Sequence, residues 1–271
     1  MTRSSPPPAG DTLEDRLRQR LAERRATGGA PILLMSHLVL GYPSLAENRR
    51  VIDAMVAAGV DLIELQIPFS EPIADGPVIA RANQRALDQG LRVADCLDFI
   101  GTVSREHAIP ILIMTYLNIL LARGVERFVA EAAGLGVRGL IVPDLPLEES
   151  AGAMAACRER GLAWVQLLTP TTPDARLRAL GATASGFCYC VARKGVTGKT
   201  TRFDSHLDQF LQRCRQATTT PLALGFGVKE AADVAALVDK VEIAVVGTAA
   251  IDIHEREGVA GVGRFFAGLR R

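Results

Sequence analysis

The sequence predicts an α/β fold: a single (β/α)8 barrel, the TIM-barrel architecture, with an extra helix at its N-terminal end. Three observations predict it. Eight apolar runs alternate with segments of near-3.6 periodicity. The repeat is about 30 residues, the length of one strand–helix unit. No Pro/Ser-rich linker divides the 271 residues internally, and about 250 residues is the usual length of one such barrel. A doubly wound open parallel sheet is the competing architecture.

The elements follow in order. Residues 1–10 (MTRSSPPPAG) are polar and Pro-rich and read as a flexible tail, with residues 11–271 as one barrel domain. Residues 11–26 read as an amphipathic helix with Leu13, Leu17 and Leu21 on one face, Asp11 as N-cap and Gly28–Gly29 as stop. The predicted strands are Ile32–Leu40, Leu62–Ile67, Ile111–Tyr116, Gly139–Val142, Trp164–Leu168, Gly186–Val191, Leu222–Phe226 and Ile243–Val246. Their continuous apolar character fits strands buried on both faces of a parallel sheet. Helices are predicted over 46–58, 78–105 in two pieces, 124–135, 148–160, 173–180, 204–216, 229–239 and 255–269.

Composition narrows the function. Hydrophobic residues make up 48%, enough for a large core, and 31 basic against 30 acidic residues leave a net charge of +1. That balance argues against nucleic acid as a partner, which needs a basic surplus or stripe. No apolar run approaches the ~18 residues of a membrane span. The five cysteines are odd in number, form no CxxC, and follow no signal-peptide pattern, so a reducing cytoplasm with buried thiols is expected. Cys188 and Cys190 share one face of a strand. His37, His107, His206 and His254 form no metal-binding pattern, and His206 and His254 fall on helices where exposure is expected. The four lysines are Lys194, Lys199, Lys229 and Lys240.

In such a barrel, chemistry sits at the C-terminal ends of strands and in the loops that follow. On the second strand Glu64 and Gln66 interrupt an apolar run at period two and share a face with Leu62. A carboxylate inside a barrel is costly unless it is paired or functional. The residues leave two readings: a Glu paired to an Arg, or a general acid/base. The loop Pro68–Pro77 is stiffened by three prolines and carries Glu71 and Asp75, so Asp75 is a candidate second anchor or the start of a helix. Tyr116, after the third strand, is placed to line a pocket. Asp144, after the fourth, either orients Tyr116 or caps the following helix. Gly198-Lys199-Thr200 mimics the end of a phosphate-binding P-loop, but the required first glycine is Arg193. The loop after the sixth strand, with Gly195 and Gly198, reads instead as a mobile lid. Glycine-rich turns after strands seven and eight (Gly225-Phe226-Gly227 and Gly247-Thr248) sit where barrels of this kind bind phosphate.

These residues resemble a known family. From about residue 31 onward the chain is similar to the tryptophan synthase α subunit. The most specific stretch is Glu64-Leu-Gln-Ile-Pro-Phe-Ser-Glu-Pro-Ile-Ala-Asp-Gly-Pro77. Gly41-Tyr-Pro43, Pro143-Asp-Leu-Pro146, Arg193 with Gly195-Val-Thr-Gly198, Gly225-Phe-Gly227 and Gly247-Thr248 support it. The resemblance implies a lyase of tryptophan biosynthesis that cleaves indole-3-glycerol phosphate to indole and glyceraldehyde 3-phosphate by retro-aldol chemistry. It implies Glu64 and Asp75 as catalytic groups. It also implies Tyr189, Gly198, Phe226, Gly227, Gly247 and Thr248 as substrate-binding positions, to which Tyr116 is added by its place after the third strand. No metal or cofactor is implied in this chain. Pyridoxal phosphate belongs to a β subunit with which it would form a cytoplasmic α2β2 heterotetramer.

The chain departs from the family pattern at His37, Gln66 and Gln166, each expected to add a polar group to the pocket. Phe187, Thr248 and Glu71 are milder departures. Three other readings stay open at this level: a lyase acting alone or on a modified substrate, a non-catalytic barrel that activates a partner, and an imine-forming aldolase using Lys194 or Lys199.

Overall fold

A computed structural model describes residues 11–192, 205–225 and 227–270. Eight parallel strands close into a barrel in sequence order, each hydrogen-bonded to the next and the eighth to the first. They are β1 Leu33–Val39, β2 Leu62–Gln66, β3 Ile111–Met114, β4 Gly139–Ile141, β5 Ala163–Leu168, β6 Cys188–Val191, β7 Leu222–Gly225 and β8 Ile243–Val246. Closure excludes the open-sheet alternative. Each strand lies where an apolar run predicted it, with ends within two residues of the prediction; β8 matches it and β5 starts one residue earlier.

The alternation of side chains across a strand sorts the core into two layers. Leu33, Met35, Leu62, Leu112, Met114, Ile141, Val165, Phe187, Ala223, Ile243 and Val245 fill the barrel. Leu34, Ile63, Leu65, Ile113, Leu140, Trp164, Cys188, Cys190, Leu224 and Val246 face outward against the helices. All five cysteines are buried free thiols, as expected.

Eleven α-helices accompany the strands among the described residues. They are α1 Leu13–Ala26, α2 Leu45–Ala57, α3 Pro77–Asp88, α4 Val93–Glu106, α5 Leu117–Arg123, α6 Val125–Gly134, α7 Ala151–Glu159, α8 Asp174–Thr183, α9 Ser205–Ala217, α10 Ala231–Ala235 and α11 Thr248–Gly268. The N-terminal helix plugs the barrel: Leu13, Leu17 and Leu21 of α1 join the interior cluster. Its N-cap is Thr12 rather than Asp11. The Thr12 hydroxyl accepts from the Asp15 amide, and the Asp15 carboxylate accepts from the Thr12 amide. Asp11 instead pairs with Arg16 and Arg138.

Two further differences concern helices. Residues 117–123 form α5, between the predicted third strand and the predicted helix 124–135. Asp144 Oδ1 accepts from the Leu117 amide at 2.8 Å, so Asp144 caps the helix after β3 rather than the one after its own strand. The final helix begins at Thr248, not at 255, and breaks its regular geometry at Gly258, whose φ is +64°. His206 is exposed on α9 as expected. His254 is not exposed: α11 turns it against α2, where Nε2 meets Glu47 Oε1 at 3.1 Å.

Candidate active site

The site is built on the inner face at the C-terminal ends of β1 and β2. Parallel pairing sets His37 beside Glu64 and Val39 beside Gln66. Because inward positions recur at every second residue, His37, Glu64 and Gln66 all project into the barrel. All three are buried. His37 Nδ1 lies 3.1 Å from Glu64 Oε1. The paired-carboxylate reading of Glu64 therefore has a partner, but it is His37 and not an arginine.

The loop after β2 folds back over these groups. Asp75 Oδ2 accepts from Gln66 Nε2 at 2.6 Å and from the Tyr116 hydroxyl at 3.1 Å. The same hydroxyl accepts from the Ala74 amide at 3.2 Å. The Tyr116 ring stacks on Phe69 with centroids 5.0 Å apart. Asn83 pins the start of the loop, accepting from the Phe69 amide at 3.0 Å while its own amide donates to the Ile79 carbonyl. Gly76 and Pro77 then open α3, so Asp75 is both the last loop residue before a helix and a site group. The stiffness suggested by three prolines is thus reinforced by hydrogen bonds.

The electrostatics follow from this enclosure. Burial opposes charge on His37, but the Glu64 carboxylate, with Asp75 behind it, outweighs that cost and raises the imidazole above its ordinary value. Burial raises Asp75, while His37 and the hydrogen bonds from Gln66 and Tyr116 pull it partly back. Burial, with the Glu64 and Asp75 charges behind it, lifts the Tyr189 phenol well above its usual range, so it stays protonated. Tyr189 is on the inner face of β6, edge-on to Phe187 at 6.4 Å. A Cβ at Gly225 would sit 3.3 Å from the Tyr189 ring, so the glycine makes room for it.

The two glycine turns differ. At the start of α10, Asp233 Oδ2 already accepts from the Lys229 and Glu230 amides. At the start of α11, Gly247 and Thr248 carry no side-chain cap. Gly247 also borders the site: its added Cβ would lie 3.7 Å from that of His37. Gly227 follows β7 with a φ of +78°, a conformation glycine adopts freely. Gly198 and Phe226 lie outside the described residues. So do Arg193, Gly195, Lys194 and Lys199, the candidate lid and its lysines.

Gln166 does not belong to the pocket. On β5 the inward positions are Ala163, Val165 and Leu167, so Gln166 faces outward and donates to Thr183 Oγ1 of α8 at 3.1 Å. The sequence pattern places Gln66 on the face of Glu64, and it marks His37 only as a departure. Sequence reasoning missed that each grips one of the two carboxylates, and it missed Asn83 entirely. The usable signal was two polar residues at inward strand positions next to Glu64 and Asp75.

A tryptophan synthase alpha chain family model matches residues 24–261. The chain belongs to the tryptophan synthase alpha chain family. It is 49% identical over 259 residues to the tryptophan synthase alpha chain of Desulfotalea psychrophila, covering 96% of this chain and all of that one. The alpha chain of Desulforapulum autotrophicum is also 49% identical, with 95% of this chain and 99% of that one covered. Among solved structures, ligand-free tryptophan synthase from M. tuberculosis superposes with a TM-score of 0.84 at 30% identity, covering 94% of this chain and 97% of that one. The tryptophan synthase α2β2 complex of Pyrococcus furiosus gives a TM-score of 0.82 at 31% identity, covering 89% and 98%. The chain is therefore an alpha-type lyase of tryptophan biosynthesis on a TIM barrel.

Proposed function

We propose that this barrel cleaves indole-3-glycerol phosphate with Glu64 as its acid–base group and Asp75 as its electrostatic anchor. The observation that carries the reading is the meeting of these two carboxylates at one barrel mouth, with Glu64 Oε2 buried and without a partner among the described residues. A buried polar atom without a partner is costly unless a ligand completes it.

The chemistry follows from the substrate. Breaking the bond between the ring and the glycerol chain needs an electron sink. Protonation of indole C3 by Glu64 creates that sink in the ring itself, with positive charge shared onto the ring nitrogen. Asp75, accepting from the ring N–H, stabilises that charge. Glu64, now a carboxylate, takes the proton of the glycerol hydroxyl next to the breaking bond. The carbon–carbon bond opens, its electrons restore the aromatic ring, and an aldehyde forms. Glu64 ends the cycle protonated, so neither an imine nor a bound cofactor is needed in the sequence of steps.

Tyr189 and Tyr116 flank the ring, Tyr116 chiefly by holding Asp75. The uncapped start of α11 at Gly247–Thr248 receives the phosphate, where amide N–H groups and the helix dipole favour an anion. The family resemblance assigns Gly227, Gly198 and Phe226 to the same phosphate. The relatives' solved structures are tryptophan synthases that include an α2β2 complex, which supports a β-subunit partner carrying pyridoxal phosphate. No helix among the described residues is long and apolar enough to cross a membrane, and we place the enzyme in the cytoplasm.

The test is Glu64→Gln, nearly isosteric and unable to carry the proton. Loss of a positioned acid–base group lowers kcat by roughly 100- to 10,000-fold, with the fold intact by circular dichroism. Turnover near the wild-type rate in a folded variant contradicts the assignment.

A further inference from the structure

We propose that His37 and Gln66 are positioning residues that each hold one oxygen of a catalytic carboxylate and leave the other for substrate. The proposal rests on reading Glu64 and Asp75 as the groups that meet the substrate.

The arrangement is the same on both carboxylates. His37 Nδ1 meets Glu64 Oε1 at 3.1 Å, and Glu64 Oε2 has no partner among the described residues. Gln66 Nε2 meets Asp75 Oδ2 at 2.6 Å, and the second donor to Asp75, Tyr116, goes to that same Oδ2. Neither donor bridges the two oxygens of its carboxylate. A carboxylate gripped at one oxygen has its rotation fixed, and its free oxygen is aimed by geometry rather than by the ligand. Both donors stand on strands, not loops, and both are buried among packed side chains. Rigid elements hold a reacting group more tightly than a loop does.

For Glu64 the consequence is specific. In the substrate-bound state that reacts, Glu64 carries its proton on Oε2 and neutral His37 donates Nδ1–H to Oε1, so the proton that reaches indole C3 leaves from Oε2. The carboxylate formed keeps its hydrogen bond at Oε1, and Oε2 then receives the glycerol hydroxyl proton. One proton leaves Oε2 and one returns, so His37 ends each cycle as it began. Its role is to hold the atom, not to supply the proton. For Asp75, Gln66 fixes the loop carboxylate to β2 before any ligand arrives, leaving Oδ1 for the ring N–H. His37 and Gln66 are therefore one device rather than two isolated polar intrusions into the barrel.

Kinetics of the full chain with indole-3-glycerol phosphate test this, comparing His37→Phe, His37→Asn, Gln66→Met and Glu64→Gln. Asn keeps a donor near the Nδ1 position, while Phe keeps the ring without one. Misplacement of a reacting group by about 1 Å costs about 100-fold, so His37→Phe is expected to lower kcat roughly 10- to 100-fold while KM moves less than about threefold. His37→Asn is expected to recover most of that loss. Gln66→Met is expected to lower kcat less, because Tyr116 still holds Asp75. Should His37→Phe fail to fold, His37→Leu reads the same loss. Wild-type kcat in folded His37→Phe or His37→Leu, with Glu64→Gln inactive, overturns the positioning role alone. The same holds for a loss that His37→Asn does not restore. Turnover in Glu64→Gln overturns the acid–base reading and this inference with it.

Discussion

At the scale of single residues, the site is a set of buried groups whose charge states depend on one another. His37 is the most direct reporter. Its imidazole is raised above the ordinary value of about 6.5, chiefly because the Glu64 carboxylate outweighs the opposing effect of burial. A raised pKa means that the stabilisation from the charged pair is complete below the unfolded value and is lost as pH rises through the folded one. Histidine NMR should show His37 titrating above about 6.5 in the wild type and falling in Glu64→Gln, where the charge is gone. A titration unchanged by Glu64→Gln contradicts the coupling. Gln166 supplies the opposite case. It faces α8 and binds Thr183, so Gln166→Leu should leave kcat and KM within about twofold and cost about 1 kcal/mol of stability, the worth of one hydrogen bond. The parity of β5 decides this difference. Parity depends on where the strand starts in the barrel register, which an apolar run such as Trp164–Leu168 does not reveal.

At the scale of elements, the strands were legible as short, predominantly apolar runs. Helix α5 was not legible for the same reason. Its sequence, Leu-Asn-Ile-Leu-Leu-Ala-Arg, directly follows the third strand and is apolar almost throughout, so it carries no helical stripe. Its first amide is capped from a distant strand end by Asp144, a contact 27 residues away in sequence. Asp144→Ala should remove that cap at a cost of about 1 kcal/mol, within the usual range for such residues. Because Tyr116 directly precedes α5 and holds Asp75, the same variant should also lower kcat. Thermal unfolding and steady-state kinetics check the two effects separately, and a loss in neither contradicts the capping role. The β2–α3 loop shows what short-range reading captures and what it does not. Its prolines announced stiffness, but the bond from Gln66 to Asp75 depends on the loop curling back over its own strand.

At the scale of the molecule, the two ends of the described chain meet under the barrel. Asp61, buried at the start of β2, accepts from Arg24 at 2.8 Å, from Arg20 at 3.2 Å, from Arg270 and from the Leu34 amide. Arg270 follows α11 and also donates to the Gly59 and Ile32 carbonyls. One carboxylate thus ties α1, β1 and the C-terminal helix together at the end of the barrel opposite the site. Asp61→Asn leaves these guanidinium groups without their counter-charge and should cost about 3–5 kcal/mol, with little change in kcat. Thermal melting checks it, and an unchanged midpoint contradicts the clamp. The cysteines test the packing of the outer layer. Burial pushes the Cys96, Cys157 and Cys188 thiols up to about 12, so a thiol reagent at pH 8 should label the native enzyme slowly and all five cysteines after unfolding.

The measurement that bears most directly on the whole account is indole release from indole-3-glycerol phosphate by the purified chain, with and without a tryptophan synthase β subunit. The account predicts that wild-type enzyme releases indole and glyceraldehyde 3-phosphate in equal amounts, that Glu64→Gln does not, and that the β subunit raises the rate. Absence of release under both conditions contradicts it, and would turn the polar lining of His37 and Gln66 into the mark of a different substrate.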